Sequence, residues 1–359
     1  MRKRGVRFLA IAAAVLLLPV LLCGCSRSLG ERAIVKIVYL DEAGGQIQAG
    51  LAVFTCTPNS DTASVEGEAR IYTAQGASIE EALYNAELQQ NKKPFYAQNE
   101  ILLLGPGAAS DVTPYLQHFA AENAARPNLA AFLTPLTLDE FAECEEGIGD
   151  VVREGERLMN RGAEGALLTQ SLFELELSGE NGMNGYLPVF SFSKEEKDFR
   201  GVRQLALIRD GAPYQMLEDA PMQLFLLLAG KSNRLTVHTQ IDGETVSFQA
   251  QQLCLTRVSS ASKGEPKLTV RLTGTVEDIA VDGVPVEREA QQDAAMRIDQ
   301  YLNELAKELN EATFAQENDI FHYGWWMKQY DTASCEALLK TGLLYETAQI
   351  EFLSDLKPA

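Results

Sequence analysis

Apolar positions open the chain as one block, Phe8 to Leu22, broken near its end by Pro19, and afterwards recur with a period that changes along the sequence. Ile34, Val35, Ile37, Val38 and Leu40 precede the turn Asp41-Glu42-Ala43-Gly44-Gly45, and Ile47, Leu51, Val53 and Phe54 follow it. That spacing predicts a β-hairpin over residues 31–57. Thr57 to Glu68 is polar, contains Pro58 and reads as a loop. Ser78 and Glu81 form an S-x-x-E helix start, and Ile79, Ala82, Leu83 and Ala86 then mark one helical face. Lys92-Lys93-Pro94 ends that segment. Ile101 to Leu104 is a continuous apolar run closed by Gly105-Pro106-Gly107, as in a strand buried on both faces. A further helix is expected from Val112 to Ala124, a Pro- and Ala-rich stretch from Arg126 to Pro135, and helical signals from Leu138 to Leu168.

Beyond a Gly-, Pro- and charge-rich interval around residue 195 the period shortens to two. Leu205 to Ile208 runs into Asp210-Gly211, and Leu235, Val237, Thr239 and Ile241 alternate into Asp242-Gly243, a hairpin dipeptide. Val246 to Val258 and Leu268 to Leu272 continue as strands, with another Asp-Gly at Asp282-Gly283. Ile298, Tyr301, Leu302, Leu305, Leu309 and Ala312 then share one face of a long amphipathic helix. Helices are expected after Asp319 and over Ala333 to Lys340, and Ala348, Ile350 and Phe352 close with a strand. This order predicts a multi-domain α+β chain with antiparallel and mixed sheets, flanking helices, and a C-terminal sheet packed on a long amphipathic helix. The expected divisions are residues 1–24, 25–195 (one region or two subdomains) and 196–359.

The opening block is an address. Arg2, Lys3, Arg4 and Arg7 precede an apolar stretch shorter than a spanning helix requires, the anatomy of a secretory signal. Leu22-Cys23-Gly24-Cys25 fits a bacterial lipobox, which makes Cys25 the expected lipid-attachment residue. The formal net charge of the 359 residues is −19, and removing those four basic residues with segment 1–24 takes it to −23. An acidic body of this size repels nucleic acid and anionic headgroups, so no nucleic-acid partner is expected. Cys56, Cys144, Cys254 and Cys335 show no C-x-x-C spacing. Isolated buried thiols are the expectation, two disulfides the alternative.

Candidate chemistry is sparse. His118, His238 and His322 fall in different expected elements, so neither a metal site nor a catalytic triad is expected. Ser191 to Lys194 and Ser260 to Lys263 match S-x-x-K without the accompanying motifs of that chemistry. Acidic pairs such as Glu80-Glu81, Glu145-Glu146 and Glu195-Glu196 read as solvated faces. Trp325-Trp326 reads as helix packing with one ring partly exposed. No catalytic, cofactor or metal residue is expected.

Three patterns occur in order: the lipobox, Gly76-x-Ser78-x-x-Glu81-Ala82-Leu83 followed by Phe95-Tyr96-Ala97-Gln98-Asn99-Glu100-Ile101-Leu102-Leu103-Leu104-Gly105, and Glu317-Asn318-Asp319-Ile320-Phe321-His322-Tyr323-Gly324 after a long helix. Together they resemble the Ger(x)C family, the lipoprotein C subunits of nutrient germinant receptors in spore-forming bacteria. Leu187-Pro188-Val189-Phe190 and the segment Leu205 to Leu217 are similar to the family's middle strands and a hairpin before a helix. The chain departs from the pattern in four places. Ser26-Arg27-Ser28 lacks the Trp after the lipid Cys, "GiD" is reduced to Tyr39-Leu40-Asp41, Gln98 replaces a His, and Asp331 to Tyr345 has no Trp. The resemblance implies a non-enzymatic subunit acylated at Cys25. It would sit on the outer face of the cell membrane or inner spore membrane beside membrane-embedded A and B subunits. A solute-binding lipoprotein and a lipid-anchored wall hydrolase are the alternatives.

Overall fold

The computed structural model describes residues 32–58, 65–121, 129–149, 152, 184–193, 198–262 and 265–359. The signal-like segment, Cys25 and most of the helical stretch expected up to Leu168 lie outside them. Among the described residues the strands form a nine-stranded and a five-stranded sheet, the mixed α+β architecture expected from the sequence.

The first sheet is built from β1 (Arg32–Ala43), β2 (Gln46–Pro58), β3 (Val65–Gly76), β4 (Lys93–Phe95), β5 (Ile101–Leu104), β6 (Ala130–Leu133), β7 (Gly185–Ser193), β8 (Asp198–Arg209) and β9 (Ala212–Glu218). Its order is β3-β2-β1-β5-β6-β7-β8-β9, with β4 also pairing β1. β1, β4, β5 and β6 run parallel. The central strands are apolar on both faces because both faces are covered. Val38, Leu40, Leu102, Leu104, Ala131 and Leu133 pack under α1 (Ile79–Glu87) and α2 (Thr113–Ala121). Ile37, Tyr39, Ile101, Leu103, Ala130 and Phe132 pack on the other side with Phe141 of α3 (Leu138–Ala142). The Arg126–Pro135 stretch thus contains a strand, and β3 emerges from the expected loop.

β7 and β8 pair antiparallel on either side of residues 194–197, so the first sheet continues past residue 195. Passage to the second sheet comes after β9, through α4 (Asp219–Leu228). This helix is buried along nearly its whole length, from Ala220 and Met222 through Leu224, Phe225, Leu226, Leu227 and Leu228. Its core is shared with Tyr186, Leu205, Leu207 and Leu217 of the first sheet.

The second sheet contains β10 (Leu235–Ile241), β11 (Glu244–Ser262), β12 (Glu265–Val281), β13 (Val284–Pro285) and β14 (Gln349–Pro358). The Asp-Gly pairs make its turns, with Asp242, Gly243, Asp282 and Gly283 all at positive φ, the geometry hairpin turns require. β14 returns parallel to β12. Between them run α5 (Gln291–Ala312), α6 (Tyr323–Tyr330), α7 (Thr332–Lys340) and α8 (Leu344–Thr347). Ala295, Ile298, Leu302, Leu305, Ala306 and Leu309 form the buried stripe of α5.

Helices close two sheet edges with side chains. On α1, Asn85 donates to the Gln75 carbonyl at 2.8 Å and Gln89, just past the helix, to the Thr73 carbonyl at 2.6 Å, both on edge strand β3. On α5, Asp299 accepts from Leu356 N–H at 3.1 Å and Asn303 from Ser354 N–H at 2.8 Å, both on β14. Four helix residues rise about 6.0 Å and two strand residues about 6.6 Å, so an i, i+4 pair meets alternate groups of an antiparallel-running strand. Asp299→Ala and Asn303→Ala are each expected to lower unfolding free energy by about 1–2 kcal/mol in urea titrations. The double variant, with the β14 edge bared, is expected to self-associate in sedimentation runs at concentrations where the parent does not.

Candidate functional site

Two polar nodes carry the conspicuous motifs. The first lies where the parallel strands end. Asp41, only 4% exposed, closes the Gly105-Pro106-Gly107 turn across 66 residues of chain. Its Oδ1 accepts from the N–H groups of Glu42 (2.8 Å), Gly107 (2.7 Å) and Ala108 (3.0 Å). The Tyr39 hydroxyl lies 3.0 Å from Asp41 Oδ2 and 2.9 Å from the Leu136 carbonyl, sharing its proton between them. Burial first, then the Asp41 charge, pushes the Tyr39 phenol well above its ordinary range. The two glycines are required by proximity. A Cβ at Gly105 would lie 2.3 Å from Tyr39 Oη, and one at Gly107 would lie 1.9 Å from the Glu42 carbonyl oxygen.

The second node is Glu317 to Gly324. Glu317 and His322 take left-handed conformations, which fold the chain sharply from the end of α5 into α6. Asn318 is buried, and its Nδ2 donates to the Ile208 carbonyl (3.0 Å) and the Tyr214 hydroxyl (3.2 Å), both on the β8–β9 hairpin. Tyr214 in turn donates to the Ala312 carbonyl at 2.7 Å. Arg209 reaches Gln316 Oε1 at 3.2 Å and lies over the Tyr214 ring. Asp319 caps α6, its Oδ1 accepting from Tyr323 N–H (2.6 Å) and its Oδ2 from Gly324 N–H (2.8 Å). Burial pushes the Asp319 carboxyl up to about 7, opposed by the N–H donors of Gly324 and Tyr323. Gly324 leaves room for it, since a Cβ there would approach Asp319 Oδ2 to 3.0 Å. Phe321 packs on Phe225 of α4, which meets Tyr186 of β7, and on Tyr323 of α6, with ring centroids 5.1–5.2 Å apart. This segment therefore locks the second sheet's helices onto the first sheet's last hairpin.

The remaining candidates stay apart. His118 on α2 lies 3.3 Å from Glu80, His238 faces outward on β10, and His322 precedes α6. Among the described residues no three His, Cys, Asp or Glu side chains gather as metal ligands. Ser191 lies on β7 and Ser260 on β11, while Lys194 and Lys263 lie outside the described residues. Glu81 and Glu145 each bind a backbone N–H, of Ala77 and Ile71. Trp326 is half-buried under Arg257, and Trp325 is 55% exposed. Cys144 and Cys335 are buried, but Cys254 is exposed on β11, so only two of these three fit the buried expectation. The Cys56 side chain lies outside the description. Among the described residues no helix is long and apolar enough to cross a membrane.

Residues 26–164 match the family model described as the spore germination protein N-terminal domain. That span therefore carries this domain, in line with the resemblance to the Ger(x)C family. The chain also matches the crystal structure of the GerBC protein with a TM-score of 0.55 and 11% sequence identity, over 89% of this chain and 96% of that one. At that identity the match establishes a common fold, and it extends the likeness past the first sheet. No curated protein matches the sequence significantly. The segment around Asp319 gains a physical meaning here: Asp caps, Phe plugs and Gly makes room. The Asp41 node was not legible as a site, because its members are a strand Asp and a distant glycine turn; the reduced "GiD" motif was its one trace.

Asp41→Ala, which strips three backbone N–H groups of their acceptor, is expected to cost about 3 kcal/mol in chemical unfolding. Asp319 predicts a specific pH signature. Its folded-state value of about 7 exceeds the unfolded value near 4, so the folded state holds the extra proton between them. The Asp319 contribution is therefore fully present below about pH 4, declines as pH rises, and is lost above about 7. Unfolding measured across this range is expected to show a slope in the parent that Asp319→Asn removes.

Proposed function

We propose that this protein is a lipid-anchored, non-catalytic accessory subunit of a nutrient germinant receptor. It is held through acylated Cys25 on the outer face of the cell membrane or, in the spore, the inner membrane. Membrane-embedded A and B subunits are its partners. The observation that carries this reading is the position of the family match, which begins at residue 26, immediately after the lipobox cysteine. Two acyl chains on one thioether-linked glycerol supply about 0.8 kcal/mol for each buried methylene, enough for stable retention where one chain is marginal. Confinement to the bilayer plane raises the effective concentration of the ectodomain beside its partners without any new contact.

The geometry supports a protein that works through surfaces. Its two conspicuous polar nodes are both spent on backbone groups and on joining the sheets. A solute-binding lipoprotein would need two βαβ lobes around a cleft. The second sheet is instead a meander of β10 to β13 with one returning parallel strand.

Cys25→Ala is expected to abolish incorporation of a palmitate analogue, move the protein from the membrane to the soluble fraction, and strongly impair nutrient-triggered germination. Unchanged labelling and membrane retention in that variant would overturn the reading.

A further inference from the structure

We propose that the outward face of the second sheet docks a second copy of this chain, sheet against sheet about a two-fold axis. Residues of α4, α5 and α6 fill the core on the other face. Leu268, Val270 and Leu272 of β12 and Leu356 of β14 point into that core, so their odd-numbered neighbours point outward. On β11, Leu253 and Leu255 face the core, while Cys254, Thr256 and Val258 are exposed.

Charge selects this face and its occupant. Without residues 1–24 the formal charge is −23, that is −19 less four basic residues, so two copies repel through most of their surface. Along β12 from Lys267 to Glu277 and along β14 the outward charges cancel: Lys267, Arg271 and Lys357 against Glu277, Glu351 and Asp355. The order of these charges is self-complementary. Leu272 of β12 lies level with Ser354 of β14. Lys267 and Glu277 stand five residues to either side of that level, and Glu351 and Lys357 three residues to either side. A two-fold axis crossing the strands there sets β12 against β12 in the opposite direction. Lys267 then faces Glu277 of the second copy, Glu351 faces its Lys357, and Arg271 lies diagonal to its Asp355. Each contact occurs twice, as in any isologous interface. Lys267 and Glu351 pair at 2.9 Å within one copy, so the facing charges alternate in sign in both directions. Cys254, level with Thr273, lies one residue from the axis. The two Cys254 positions are therefore offset by about 6.8 Å along the strands, on sheets stacked about 10 Å apart.

The test takes the full chain purified in a mild non-ionic detergent and does not depend on membrane attachment. Sedimentation equilibrium is expected to show a dimer that grows with concentration. A short bismaleimide is expected to join its two copies through Cys254, and Cys254→Ser to abolish that product on denaturing gels. Glu277→Lys, which sets Lys267 against a lysine twice per dimer, is expected to weaken association about tenfold. Lys267→Glu is expected to do the same by setting glutamate against glutamate. Mixing the two variants is expected to restore a heterodimer, in which each altered charge meets its opposite; recovery on mixing also shows that both variants are folded. A monomer at every concentration, a dimer that Cys254 does not bridge, a dimer indifferent to Glu277→Lys, or no recovery on mixing overturns the proposal. None of these outcomes bears on the anchor at Cys25.

Discussion

A helix that is apolar on nearly every side can be stable only between two other layers, and α4 is such a helix. The five residues Leu224 to Leu228 are all buried. At about 1.5–3 kcal/mol for each Leu or Phe removed from water, they contribute on the order of 10 kcal/mol before entropy is counted, comparable to the net stability of a domain. That burial requires β7 to β9 on one side and the second sheet with α5 on the other. Sequence neighbours are placed in different sheets for this reason. The Asn318–Tyr214 and Arg209–Gln316 contacts then fix the orientation, because hydrogen bonds are directional where hydrophobic contact is not.

The edges pose the opposite problem, since exposed strand backbones invite pairing with another chain. This fold uses one solution twice with inverted chemistry. Amide donors from α1 and from Gln89 just past it cap carbonyls of β3, and oxygen acceptors on α5 cap N–H groups of β14. The open positions of the protein are thereby moved from strand edges to helix faces. A partner surface on such a molecule is more readily formed by side chains like Trp325, Tyr84 and Leu88 than by added strands.

Elements with a strong local signal were legible in the sequence. The β1–β2 hairpin, the strand Ile101 to Leu104, the Ser78 cap, the Asp-Gly turns and the α5 stripe all follow from spacing alone. β6 was hidden because Ala130-Ala131-Phe132-Leu133 is too short to show a period, and it becomes a strand through its parallel neighbour β5. β3 was hidden by a loop-like start, although Ile71, Tyr72 and Thr73 carry strand preference. The Asp41 and Asn318 nodes depend on contacts 66 and 110 residues apart, which no local pattern encodes. The signature Asp319-Ile320-Phe321 through Gly324 was visible as a string, but its meaning required the fold.

The return of β14 alongside β12 has a consequence for how the second half opens. Lys267 pairs with Gln349, and everything between them, including four helices, is a loop closed by that ladder. The loop cannot release its helices one at a time without either separating the two strands or exposing the core beneath α5. Backbone amides in α5 and β12 should therefore exchange with solvent as one cooperative block. Such a region transmits a push at one end as a rigid displacement of the whole, not as local yielding.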